Sequence, residues 1–539
     1  KEDLTMWQNY NVSISIPDEW MNKLRDYPNT PHMIQHDKWG EGFLAREAAS
    51  GKLYSIKGDP SSVKDSNGTY LWTIQDTWDL ICKRAHATGE PGLFFVDRAN
   101  EDNVTKHLGL YEATNPCGEQ PLYPHDCCNL GSINLTKFFS SDTSDNFNWD
   151  GFRDTIHTSV RFLDNCISVN KYPIPEMKKM AEDIRRIGLG VMGFADLLFM
   201  LGVPYDSDEG REWGQLISEF LVFESDVMSE SLATEKGSFL EFDKSSLEIP
   251  VRNAYATTVA PTGTISIIAN CSGGIEPMFA LAFRREVMGD SDGKMTIMWE
   301  LNPYFLEAVK EGVFKEEDEK TIIDFVKENG SLKNFDCSSW LLPSRSSIQR
   351  LKTIFVTAQD ISPEAHVRMQ AAWQKDIDSA ISKTVNMPRN ATIADVDKIY
   401  RLGFGTGCKG ITVYRDGCRD GVEGMKQPMA VKSKEEIDPD RGVDYNFVNQ
   451  EIARIEKTLV KDIEPLIPEK TEKIQEEPKA TSNSVFKPAI KFEYKTQFGT
   501  MHVNVVLDEN NQPMEVFAQI GKSADMVFAD LEAMCRLIS

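Results

Sequence analysis

The residues Asn115-Pro116-Cys117-Gly118-Glu119, followed by the adjacent thiols Cys127 and Cys128, put an amide, a thiol and a carboxylate on one short segment. Pro116 cannot sit inside a helix and pushes Asn115 out of the helical region. The segment is therefore expected to run extended, with Asn115, Cys117 and Glu119 on a common face. A lone cysteine is most often a small buried hydrophobe. A carboxylate buried beside a thiol, by contrast, costs free energy unless it has a task, which points to chemistry at Cys117. Cys128 lies eleven residues on, after a loop containing Pro121, Pro124 and Asp126 that is long enough to double back. A thiol facing a second cysteine across a substrate can supply reducing equivalents by closing a disulfide. Cys127 reads as a spectator.

A second constellation is Ala260-Pro261-Thr262-Gly263-Thr264-Ile265-Ser266, placed directly after a strand-like run and opening a short helix. Small hydroxylated residues around a glycine leave backbone N–H groups free at a helix N-terminus, where they can cradle a phosphate without a basic side chain. The plainer reading is an ordinary N-capping turn. The G-x-x-x-x-G-K of a P-loop is absent, so ATP hydrolysis is not indicated. The glycines of Ile187-Gly188-Leu189-Gly190-Val191-Met192-Gly193 follow Arg185-Arg186 in a helical context and lack the acidic partner of a dinucleotide site. They are read as close helix packing. Tyr414–Gly421 reads as a turn after a strand, with a solvated charged rim. No cysteine pair has the C-x-x-C spacing of a zinc site, and no metal-ligand set is assigned.

These residues need a scaffold, and the pattern around them supplies one. Strand-like runs at 11–16, 92–97, 256–260 and 410–414 alternate with helical patterns at 76–87, 211–235 and 363–385. Such alternation predicts an α/β architecture with mostly parallel strands over residues 1–425. Residues 426–485 are rich in Lys, Glu, Pro and Ser and read as a flexible linker with one helical candidate at 446–461. A small α+β domain, 486–539, is expected after it: strands at 501–508 and 514–520 about a turn, then a helix from 524.

The chain has 539 residues, 41% of them apolar, and a formal charge of −24 from 59 basic and 83 acidic residues. That balance argues against a general nucleic-acid or membrane-surface binder. Nothing at the start resembles a signal peptide, and the most membrane-like run, 187–203, carries Asp196 and falls short of a span of about 20 residues. Ten cysteines are too sparse for a secreted disulfide scaffold. A soluble, cytoplasmic protein is expected. The chain opens on Lys1 and is read as a fragment at both ends.

Taken together, these segments resemble the large catalytic chain of ribonucleotide reductase, most closely its adenosylcobalamin-dependent (class II) branch. The resemblance is carried by Asn115–Leu122, Cys128-Asn129-Leu130-Gly131-Ser132-Ile133-Asn134-Leu135, Ala260–Ser266 with Gly274-Ile275-Glu276-Pro277, and Gly407–Gly417. It covers roughly residues 9–422. It implies a ten-stranded α/β barrel of the ribonucleotide reductase and glycyl-radical type, incomplete at its N-terminal part, with the Cys117 loop as a central finger. By the same resemblance, Cys117 would carry a thiyl radical and Glu119 would act as general base. Asn115 would orient the ribose, and Cys128 would be one of two reducing thiols. Substrate would be held by Asn115, Pro116, Cys117, Gly118 and Glu119, and its phosphates by Pro261, Thr262, Gly263, Thr264, Ile265 and Ser266. Adenosylcobalamin is the implied cofactor, with its contact residues unassigned. The implied partners are a ribonucleoside diphosphate, deoxynucleotide or ATP effectors acting mostly upstream of Lys1, a thioredoxin-like reductant and a second copy in a homodimer; no nucleic acid or membrane is implied.

The chain departs from the family pattern in places. No cysteine in residues 1–116 matches the partner expected for Cys128, Cys82 being a poor candidate in a helical pattern. As a fragment, the chain is expected to be inactive alone. The class I branch, fed by a separate radical subunit, carries two adjacent tyrosines where Val413-Tyr414 supplies one. A glycyl-radical lyase would leave Cys128 idle, and a non-catalytic nucleotide-binding regulator would have no use for Cys117 beside Glu119.

Overall fold

Short β-branched and glycine-containing runs line up side by side through the first of the chain's two units, Lys1–Ile437. The computed structural model describes residues 11–36, 40–47, 50–288 and 295–418, together with the strands 489–496, 499–507 and 513–520. Asn129–Asn134 pairs in parallel with Ile187–Met192. Leu189 bridges in parallel to Thr257, and Val259 to Ile381. The same passage of chain continues into Thr384–Met387, which runs parallel to Gly410–Arg415. Gly410–Arg415 then meets Gly92–Phe95 antiparallel, and Gly92–Phe95 pairs in parallel with Ser13–Ile16. The result is one continuous series of neighbouring segments, parallel throughout except at the 92–95/410–415 seam.

Helices cover the outer side of this series. Trp149–Val169, Asp208–Lys236 and Pro363–Gln374 bury Phe152, Ile156, Leu163, Leu221 and Trp373 against Ile133, Leu189 and Val259. Ile74–Thr88 and Ile393–Gly405 bury Trp78, Ile81, Ile399 and Tyr400 against Leu93, Phe95, Ile411 and Val413. Both of these helices open on a threonine–aspartate capping box, Thr73 with Asp76 and Thr392 with Asp395. The architecture is α/β, as the alternating pattern predicts.

Two expectations are corrected. Ile187–Met192 is a fully buried strand, not packed helix. Its glycines serve the sheet, because Cβ atoms at 188 and 190 would run into Cys128, Thr258 and Leu130. The helix expected over 363–385 stops at Gln374, and Thr384–Met387 is a strand.

The second unit, Asp438–Ser539, holds a three-stranded antiparallel sheet of Ala489–Thr496, Gly499–Leu507 and Pro513–Ile520. The helices expected at 446–461 and from 524 lie outside the described residues. Among the described residues no helix is long and apolar enough to cross a membrane.

Candidate active site

The Cys117 segment is the tip of a hairpin in which Ala113–Thr114 pairs antiparallel with Pro121–Leu122. Its tip is not extended. Gly118 N–H donates to the Asn115 carbonyl (3.0 Å), closing a turn over Pro116 and Cys117, and Asn115 N–H donates to the Gln120 carbonyl (3.1 Å). Pro116 presets the first corner of such a turn. Gly118 has φ +85° with open space around its missing Cβ, so backbone conformation rather than crowding calls for glycine. Asn115 Oδ1 accepts from Gly118 N–H (3.1 Å) and Gln120 N–H (3.0 Å), stitching the turn from inside.

The turn separates the two groups that an extended chain would have kept on one face. Cys117, at the corner, is exposed, whereas Glu119, beyond it, is only 1% exposed. The three residues still share a site. The Asn115 side chain hydrogen-bonds the Glu119 carboxylate, and the charge of that carboxylate acts on both the Cys117 and Cys128 thiols. Glu119 Oε2 has no hydrogen-bond partner. Burial pushes its carboxyl above the usual range, opposed by its own backbone N–H and by Asn115. Burial first, then the Glu119 charge, raises the Cys117 thiol. Burial also raises Cys128, with the Arg186 guanidinium opposing. Both sulfurs are thus held as S–H at neutral pH, the form that donates a hydrogen atom.

Cys117 and Gly118 line a narrow cleft with Ser13, Leu93, Phe94, Ile381, Lys383 and Thr412 among its other walls. The hairpin is held at its base by Arg186, which is fully buried. Arg186 Nε donates to Asp126 Oδ2 at 3.0 Å and its Nη2 to the Tyr111 hydroxyl at 3.0 Å, gripping the chain before and after the tip. Asp126 in turn accepts from Cys127 N–H (2.8 Å) and so sets the approach to Cys128.

Cys128 Sγ packs where residue 188 has no side chain. A Cβ there would lie 2.9 Å from the sulfur, 2.9 Å from Thr258 Cγ2 and 2.7 Å from Leu130 Cδ2. Gly188→Ala is expected to destabilise the fold by about 1–3 kcal/mol and to change the alkylation rate of Cys128. Thermal melts and mass-spectrometric alkylation mapping check this, and an unchanged rate at Cys128 would remove Gly188 from the site.

Pro261–Ser266 does form a loop and a short helix, Gly263–Ile268, whose first turn has no side-chain cap. Thr262 adopts φ +53°, and its hydroxyl accepts from Gly274 N–H (2.7 Å) to close the loop on itself. This loop does not line the Cys117 cleft; the two are joined through residues 380–384. Ala380 N–H donates to the Glu119 carbonyl (2.8 Å), and Ser382 N–H to the Val259 carbonyl (2.8 Å). Thr384 N–H and Lys383 Nζ both donate to the Glu276 carboxylate, at 2.6 and 2.7 Å.

Two lysines that the sequence reading passed over are therefore structural members of the site. Lys383, fully buried, also faces His366 Nδ1 at 3.0 Å. Lys409 is 3% exposed and donates to the carbonyls of Ile377, Asp378 and Ser379. The signal available in the sequence was a single charge set against an apolar strand in each case, Lys383-Thr-Val and Lys409-Gly-Ile.

Comparison with known proteins bears on the same residues. The chain matches the family "Ribonucleotide reductase, barrel domain" over residues 1–249 and 247–414. It is 45% identical over 412 residues to a vitamin B12-dependent ribonucleoside-diphosphate reductase of Thermoplasma acidophilum, covering 76% of this chain and 47% of that one. It is 42% identical over 349 residues to the protein of the same name from Mycobacterium tuberculosis, covering 64% and 47%. The chain thus spans about half the length of the curated relatives it matches. Among solved structures, the Actinobacillus ureae class Id ribonucleotide reductase alpha subunit superposes with a TM-score of 0.54 at 21% identity, covering 76% of this chain and 65% of that one, a likeness of fold. With the finger hairpin, the parallel strand series and the matched length in agreement, the chain belongs to the ribonucleotide reductase barrel-domain family.

Proposed function

We propose that this chain supplies the catalytic core of an adenosylcobalamin-dependent ribonucleotide reductase. The observation that carries the reading is the buried Glu119 carboxylate, with one oxygen unpartnered, acting on two protonated thiols at once. An orphaned buried acceptor is costly in a finished core; a substrate hydroxyl would satisfy it.

The roles follow from position. Cys117, exposed at the cleft, is the sulfur that a radical can reach, and as a thiyl it takes the 3′ hydrogen of the ribose. Glu119 accepts the 3′ hydroxyl proton. The 2′ hydroxyl leaves as water with a proton from a thiol. Cys128 and a second thiol provide two electrons and become a disulfide, and Cys117 returns its hydrogen to the sugar. Asn115 keeps Glu119 aimed, and Pro116 and Gly118 hold the turn against which the ribose would rest. Pro261–Ser266 would receive the phosphates of a ribonucleoside diphosphate.

Adenosylcobalamin would have to come close to the exposed Cys117 sulfur, and its contact residues are unassigned. When bound, adenosylcobalamin supplies the initiating radical by cobalt–carbon homolysis. The accompanying fold reading has residues 1–425 contribute to a ten-stranded barrel, followed by a charged linker at 426–485 and a small α+β domain at 486–539, in a soluble cytoplasmic enzyme. Deoxynucleotide or ATP effectors, a thioredoxin-like reductant and a homodimer complete it.

A cobalamin titration of the full-length protein, followed by absorbance, tests the cofactor. A saturable spectral change together with deoxynucleotide formation is the expected result. Absence of binding by a protein that still reduces nucleotides with a separate radical subunit would overturn it in favour of class I.

A further inference from the structure

Glu119 is aimed by its backbone as well as by Asn115, and that backbone is held from outside the hairpin. Its carbonyl accepts from Ala380 N–H at 2.8 Å and lies 2.9 Å from Thr258 Oγ1, which is also 3.0 Å from the Ala380 carbonyl. Ala380 sits at the end of a passage, Ile377-Asp378-Ser379, that is neither helix nor strand. Its shape is fixed by Thr257, which exchanges hydrogen bonds with Asp378 and Ser379, by Gln374, which donates to the Ile377 and Ser379 carbonyls, and by Lys409. The Lys409 Nζ lies 3.2, 2.8 and 3.0 Å from the Ile377, Asp378 and Ser379 carbonyls and 2.7 Å from Asp102 Oδ2. Withdrawing an ammonium from water is expensive unless every donor is matched, so three successive carbonyls must turn toward it. That turn leaves the next N–H, of Ala380, directed at Glu119.

We propose that Lys409 is a positioning residue for the Glu119 carboxylate, acting through the 377–380 turn. The proposal rests on the reading of Glu119 as the general base. The charge of Lys409 is neutralised by Asp102 and the carbonyls, so its action is through geometry. The titratable groups that face Glu119 are the Cys117 and Cys128 thiols; it also meets the Asn115 amide of its own hairpin and, from other elements, the Thr258 hydroxyl and the Ala380 N–H.

The test uses the full-length protein with cobalamin, reductant and ribonucleotide, comparing wild type with Lys409→Met, Thr258→Val, Asp102→Asn and Glu119→Gln. Loss of the clamp lets the hairpin drift and admits water to the carboxylate. Lys409→Met should lower kcat by about 10²-fold, the scale of an ångström-sized misplacement, with KM little changed. The acid limb of its kcat–pH profile should move to lower pH, because solvation removes the burial that raises Glu119. Thr258→Val, nearly isosteric, should shift the limb in the same direction by less, and it carries the test if Lys409→Met does not fold. Asp102→Asn, which spares the carbonyl nest, should leave the limb in place. The proposal is overturned if both clamp variants lower melting temperature while the limb stays put, or if Asp102→Asn moves the limb as far as Lys409→Met. Full activity of Glu119→Gln would instead sink the reading of Glu119 as the base, a distinct outcome.

Discussion

In the full-length protein Cys117→Ser is expected to reduce turnover to below about 10⁻³ of the wild-type rate, the scale seen when a reacting group is removed outright, with nucleotide affinity essentially unchanged. The reason lies in where the sulfur sits. It stands at the corner of a turn whose shape is set by Pro116, Gly118 and the Asn115 carbonyl, none of which needs the thiol. A hydroxyl fits the same corner, so the cleft and Glu119 should survive the change. What is lost is a weak S–H bond that can be broken and remade homolytically. Single-turnover deoxynucleotide yield and equilibrium nucleotide binding, measured side by side, check this. Retained turnover would favour a site in which Cys117 only packs.

Glu119→Gln should lower kcat by about 10²–10⁴-fold, the usual worth of a positioned base. It also carries a signature in stability. Burial raises the Glu119 carboxyl in the folded state, so the folded protein binds a proton more readily than the unfolded chain does. Stability from this group is therefore greatest at low pH and is lost as pH rises from the ordinary carboxylate range through the raised value. An amide does not titrate. The melting temperature of the variant, relative to wild type, should climb as pH is raised across that window and level off above it. A difference that stays flat with pH would mean that Glu119 titrates like an exposed carboxylate, against its 1% exposure.

How much of this could be read from the chain alone depended on the range of the forces involved. Strands such as Gly92–Phe95 and Gly410–Arg415 show themselves locally, through β-branched and aromatic side chains. That Asn115, Cys117, Glu119 and Cys128 come together was legible because their residue types have few structural uses together. The turn at Pro116–Gly118 was missed although its chemistry is local: proline at a corner and glycine at positive φ are turn residues, and the rule against helix was applied without that for turns. Ile187–Met192 was illegible for a different reason. An unbroken apolar run has neither period, and its glycines make sense only beside Cys128 and Thr258, distant in sequence. The roles of Lys383 and Lys409 depend on Glu276 and on the 377–379 carbonyls, thirty or more residues away, which no window on the sequence contains.

The Cys117 and Cys128 thiols combine open access, at Cys117, with a strong tendency to stay protonated. Peroxides and electrophiles attack thiolate rather than thiol, so the same burial and negative neighbour that would ready these sulfurs for the proposed one-electron work make them sluggish toward two-electron oxidants. On the proposed reading, a protein of this design would wait under oxidising conditions with its Cys117 sulfur in plain view and lose little of it to sulfenic acid.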